Sequence, residues 1–104
     1  MIKNINEIEL RELLEKKSNY NVFIQQNDCQ TCHDVITNFE KYDTTDNVLY
    51  VYTLNLQKID DTIKTFLKTL SVLRTPIVVN LKQDTTECMV LESAEELKKF
   101  LETT

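Results

Sequence analysis

With 104 residues, 41% of them hydrophobic and 28% charged, the chain can build one globular domain, residues 1–104, with a modest core and no second domain. A formal net charge of −5, with no Lys/Arg stripe interleaved with aromatics, excludes tracking along a nucleic-acid backbone and disfavours anionic membranes. Gly is absent and Pro occurs once, so no Gly-rich loop exists to cradle a phosphate.

The opening run Met1-Ile2-Lys3-Asn4-Ile5-Asn6-Glu7 has no apolar stretch of the signal-peptide kind. No apolar run approaches the length of a membrane span. The expectation is a cytoplasmic protein. Ile5, Ile8, Leu13 and Leu14 recur at roughly helical spacing, and Asn6 with Glu9 reads as an N-cap signal. A helix is predicted over about 6–17. Tyr20 to Gln25 is β-prone and reads as a strand. Asn27-Asp28 then opens a second helix, in which Cys32, Val35, Ile36, Phe39 and Tyr42 form one apolar stripe.

Asp43 to Asn47 reads as a loop, and Val48 to Leu54 as a strand covered on both faces. Asp60-Asp61 leads a third helix with Ile59, Ile63, Phe66, Leu67 and Leu70 facing inward. Pro76 to Leu81 and Thr86 to Leu91 form a hairpin about the polar turn 82–85. Ser93 with Glu96 reads as a capping box for a last helix reaching Leu101. The predicted order is α-β-α-β-α-β-β-α: an α/β domain with a four-stranded mixed sheet flanked by helices.

The chemistry lies in Cys29-Gln30-Thr31-Cys32. Two cysteines separated by two residues on an opening helical turn sit close enough to form a disulfide with little strain. Following a strand and opening a helix within a βαβ pattern, the pair reads as redox-active. Cys29 is placed at the first helical position, where unpaired N–H groups and the helix dipole favour its thiolate as nucleophile. Cys32, about one turn in, resolves the mixed disulfide. Asp28 acts as N-cap, and its negative charge also disfavours the Cys29 thiolate. His33, when protonated, lowers the Cys29 pKa.

The residues leave other readings open. Cys29, Cys32 and His33 could be three ligands of a zinc site, with Cys88 or a carboxylate as the fourth. Cys29 to His33 also spells C-x-x-C-H, the attachment pattern for c-type haem. The pair could simply be buried and inert. Cys88, on the last predicted strand, reads as a small core residue. No bound cofactor and no metal are expected.

Three features make the sequence resemble the thioredoxin family: the Cys29–Cys32 run after the first predicted strand, Thr75-Pro76 at the head of the hairpin, and the ending Ser93-Ala94-Glu95-Glu96-Leu97-Lys98-Lys99-Phe100-Leu101. The resemblance covers roughly residues 20–101 and implies a thioredoxin-like fold. It also implies a cis Pro76 against the cysteine pair, with Thr75 and Pro76 bordering the substrate site. The implied activity is protein-disulfide reduction by a monomer, on protein disulfide substrates, with electrons from NADPH through a flavoprotein thioredoxin reductase.

Against that family's pattern, Asp28 stands in place of a Trp, Gln30-Thr31 in place of Gly-Pro, Phe23 in place of a buried acid, and Leu91 near the place of a Gly. The alternative function is a redox-inert or weakly active binding module for a dedicated partner. A glutaredoxin-like role would need a Gly-Gly step that this chain lacks.

Overall fold

The computed structural model describes residues 1–42, 47–71 and 74–104. Most of the loop expected at Asp43 to Asn47 therefore lies outside the described residues. The elements are β1 (Ile2–Ile5), α1 (Glu7–Lys16), β2 (Tyr20–Gln25), α2 (Gln30–Glu40), β3 (Leu49–Thr53), a single 3-10 turn (Leu56–Lys58), α3 (Asp61–Thr69), β4 (Ile77–Leu81), β5 (Thr86–Val90) and α4 (Ala94–Thr103).

The sheet is five-stranded rather than four-stranded, in the order β1-β3-β2-β4-β5. The unforeseen strand is β1, which pairs in parallel with β3 from Ile2 opposite Leu49 to Ile5 opposite Tyr52. Its two Ile are three residues apart with Lys3-Asn4 between them, so it lacks the period-two alternation that marks a strand. Pairing with β3, not local pattern, makes it a strand. The β2–β3 pair is parallel, while β4 runs antiparallel to both β2 and β5.

Two apolar layers cover the sheet. On one face Leu10 of α1 and Ile63 of α3 are buried against Val22, Ile24, Val79 and Leu81. On the other face Val35 and Phe39 of α2, with Leu97 and Phe100 of α4, are buried against Phe23, Val51 and Val78. Every residue of β4 is buried, as a strand covered on both faces should be. Within α1 the expected stripe is displaced. Leu10 is the buried anchor, whereas Ile8 is 58% exposed, because the helix begins only at Glu7 and Ile5 belongs to β1.

The helix ends are satisfied by side chains. Asn6 and Glu9 form the reciprocal capping box of α1. Asp60 caps α3 by accepting from the Thr62 and Ile63 amides, and it also accepts from Arg11 Nη1 at 2.9 Å, pinning α3 to α1. Ser93 caps α4, but Glu96 reaches past it to the Glu92 amide at 2.8 Å. The expected Ser93/Glu96 box is therefore only half formed.

The topology brings four chain segments to one rim of the sheet. β2 and β3 are parallel and end there, β4 starts there, and β5 returns there. The segments after Gln25 and after Thr53, the Thr75-Pro76 step and Leu91-Glu92 consequently gather at the same end. Crevices outside the carboxyl ends of parallel strands are where α/β sheets place their sites.

Candidate active site

The chain leaves β2 at Gln25 and turns at once, with the Cys29 amide donating to the Gln26 carbonyl at 3.3 Å. Asn27-Asp28 are the middle of that turn. Asp28 is therefore not the N-cap of α2, and Cys29 is not its first helical residue. Cys29 is itself the N-cap, with extended backbone (φ −103°, ψ 103°), and its Sγ accepts from the Cys32 amide at 3.1 Å. The difference is one residue, and its cause is that the thiol sulfur takes the capping role that a carboxylate would otherwise hold.

Cys29 and Cys32 are joined by a disulfide, with their Cα atoms 5.2 Å apart. They are not equivalent. Cys32 has no exposed surface, while Cys29 is half-buried. Asp28 and His33 are exposed. The His33 ring donates from Nε2 to the Asn27 carbonyl at 2.9 Å.

The Thr75–Pro76 peptide bond is cis. The Thr75 carbonyl oxygen lies 3.9 Å from Cys29 Sγ. Thr75 Oγ1 donates to Gln26 Oε1 at 2.9 Å, tying the turn before the cysteines to the step before β4. Pro76 is buried, and its carbonyl accepts from the Leu91 amide at 2.9 Å, which fixes the neighbouring end of β5. Cys29, Cys32, Thr75 and Pro76 are thus brought together. Sequence reading missed Gln26: its partner is 49 positions away, and no local motif marks a Gln at a strand end for that role.

The surroundings are apolar and uncharged inside. Phe23 and Leu91 have no exposed surface and belong to the layer between the sheet and α2 and α4. Among the described residues no carboxylate is buried; Asn80 is the buried polar side chain, and its amide donates to Asn19 and Asn21 at the start of β2, the end opposite the cysteine turn. Cys88 is not in the core proper but partly buried at its edge, and burial pushes its thiol above the ordinary value. Among the described residues no group of three or more His, Cys, Asp or Glu is placed to hold a metal. No helix among them is long and apolar enough to cross a membrane.

No protein-family model and no curated protein matches the sequence. Solved structures do match in shape. Thioredoxin f from spinach chloroplast, in its short form, superposes with a TM-score of 0.70 at 15% identity, covering 98% of this chain and 91% of the other. Thioredoxin from Aeropyrum pernix gives 0.68 at 19% identity, covering 96% and 85%. Thioredoxin O2 from Arabidopsis thaliana, in its oxidized state, gives 0.69 at 16% identity, covering 98% and 92%. Identities this low speak for backbone architecture alone. The chain has the thioredoxin fold, with a disulfide-bonded C-x-x-C pair at the N-terminus of α2.

Proposed function

We propose that the chain is a thiol–disulfide oxidoreductase acting on protein disulfides, with Cys29 as nucleophile and Cys32 as resolving thiol. The observation that carries this is the asymmetry of the pair. Cys29 is reachable and receives the Cys32 N–H on its sulfur, while Cys32 is fully buried behind it. An N–H aimed at the sulfur and the positive end of the α2 dipole both favour the Cys29 thiolate. α2 has no acidic residue in its first turn to oppose that.

In the reducing direction the Cys29 thiolate attacks one sulfur of a client disulfide. The client S–S bond breaks, a mixed disulfide forms on Cys29, and the second client sulfur leaves as a thiolate. Cys32 then loses its proton and attacks Cys29 Sγ, releasing the first client sulfur and closing the Cys29–Cys32 disulfide. Two electrons pass to the client, which ends as two thiols, one proton coming from Cys32 and the other from solvent, which took the Cys29 proton when the thiolate formed. With Phe23 where a buried acid would stand, the departing client thiolate takes the Cys32 proton. The Thr75 carbonyl, beside Cys29 Sγ, and Pro76 border the client backbone.

The dithiol is restored by a reductase. The expectation is a flavoprotein acting on the monomer. A solved thioredoxin f2, of similar fold at 13% identity, is in complex with ferredoxin:thioredoxin reductase, which supports a protein reductant in general. Asp28 beside Cys29 and His33 on the next turn tune the thiol through their charge.

Trapping tests the exchange mechanism. Cys32→Ser leaves the mixed disulfide unresolved, so clients should accumulate on Cys29 and be released by dithiothreitol. Recovery no greater than with a Cys29→Ser control would leave the fold as a binding module without exchange chemistry.

A further inference from the structure

A groove of about 320 Å³ is lined in part by Gln26 and Thr75, and the Thr75 carbonyl lies 3.9 Å from Cys29 Sγ, so the groove reaches the redox pair through Thr75. Its floor is apolar, made by Leu54, Ile59, Leu67 and Ile77, and Leu56 stands at its rim, 66% exposed. Its charged lining groups are all cationic: Lys64 and Lys68, one turn apart on α3, and Arg74. Among the described residues neither lysine has an ion-pair partner. Arg74 meets Glu92 at 3.3 Å, but both side chains are mostly exposed, and such a pair exchanges readily.

This charge runs against the rest of the molecule. From Leu54 to Thr75 the chain has four cations, Lys58, Lys64, Lys68 and Arg74, against Asp60 and Asp61. Asp60 is already engaged by Arg11. A net positive stretch borders the nucleophile in a chain whose net charge is −5.

We propose that this groove selects client disulfides flanked by an acidic, apolar segment. An apolar client residue fills the space over Leu54, Ile59 and Leu67, and Asp or Glu side chains meet Lys64, Lys68 and Arg74 while the client sulfur lies at Cys29. Complementary charge of this kind steers encounter and sets partner choice more than raw affinity. The proposal rests on the thiol–disulfide reading above and adds the chemical class of the client.

The test uses two peptides that differ only in flanking charge. Each has a single Cys beside Leu, flanked by several Glu in one and several Lys in the other, and each is activated as a mixed disulfide with 2-thiopyridine. Cys29 thiolate attacks the peptide sulfur and 2-thiopyridone leaves. Cys32 thiolate then displaces the peptide thiol and closes the Cys29–Cys32 disulfide, so two electrons pass from protein to probe. At about 10 mM ionic strength, where charges act over roughly 30 Å, the acidic peptide should react faster by on the order of tenfold. That ratio should collapse toward one near 1 M salt, where the screening length is about 3 Å, and invert in the Lys64→Glu/Lys68→Glu variant.

The net charge alone predicts the opposite order, so equal rates, or a faster basic peptide, would overturn the proposal while leaving the redox reading intact. If wild type fails to reduce either peptide and also fails with the neutral bis(2-hydroxyethyl) disulfide, the redox reading falls and the groove proposal with it. Sedimentation showing a low-salt dimer that the double variant dissolves would assign the groove to a second copy of this chain and overturn the client reading.

Discussion

Cys29 and Cys32 are three positions apart and sit in different chemical settings. The sulfur of Cys29 caps a helix and meets solvent; that of Cys32 is enclosed. Asp28 is the one carboxylate adjacent in sequence to the capping sulfur, and it is exposed in the turn. Its charge works against the thiolate that the Cys32 N–H and the helix dipole favour. Asp28→Asn should therefore lower the Cys29 thiol pKa, read as thiolate absorbance during a pH titration of the reduced Cys32→Ser protein. A rise would mean that Asp28 acts on the turn rather than on the charge. Cys88 does not confuse such a titration at neutral pH. Burial raises its pKa, so it stays protonated until well after an activated thiol has ionised, and it reacts slowly there.

At the scale of elements, the lack of Gly has a visible cost. Helix α1 ends with Lys17 in the left-handed region at φ 46°, and Asn19 and Ser71 are left-handed too. Asn tolerates that region and Gly occupies it freely, whereas Lys pays for its Cβ. Lys17 also donates its amide to the Leu13 carbonyl, so the cap itself is well made. Replacing Lys17 by Gly should raise stability by roughly 1 kcal/mol, after allowing for the extra freedom Gly gives the unfolded chain. Thermal unfolding would then move up by about 4–8 °C for a domain near this size. An unchanged or lower midpoint would show that the left-handed Lys17 is not strained.

Elements with a strong local period were legible in the sequence: β2, the Asp60-capped α3, the hairpin of β4 and β5, and α4. β1 was not, because it is held by its ladder to β3 and not by its own four residues. The N-cap of α2 was displaced by one residue because the capping rules favour Asp over Cys, whereas here the sulfur holds the Cys32 amide.

At the scale of the whole molecule, the site is a product of strand direction. Parallel β2 and β3 and antiparallel β4 deliver the cysteine turn, the Leu56 turn and the cis Thr75–Pro76 step to one rim. Gln26 then joins two of these segments through Thr75. The cysteine pair and Thr75-Pro76 could be read from sequence because each has a short signature. Gln26 and the cationic groove could not, since their members come from separate segments and meet only when the sheet forms.

Turnover of the Cys29–Cys32 pair can be measured directly. Insulin reduction by dithiothreitol, followed as turbidity from the precipitating chains, should be accelerated at least tenfold by catalytic amounts of the wild-type protein and return to the uncatalysed rate with Cys29→Ser. Acceleration that survives Cys29→Ser, or none with folded wild type, would contradict exchange at Cys29.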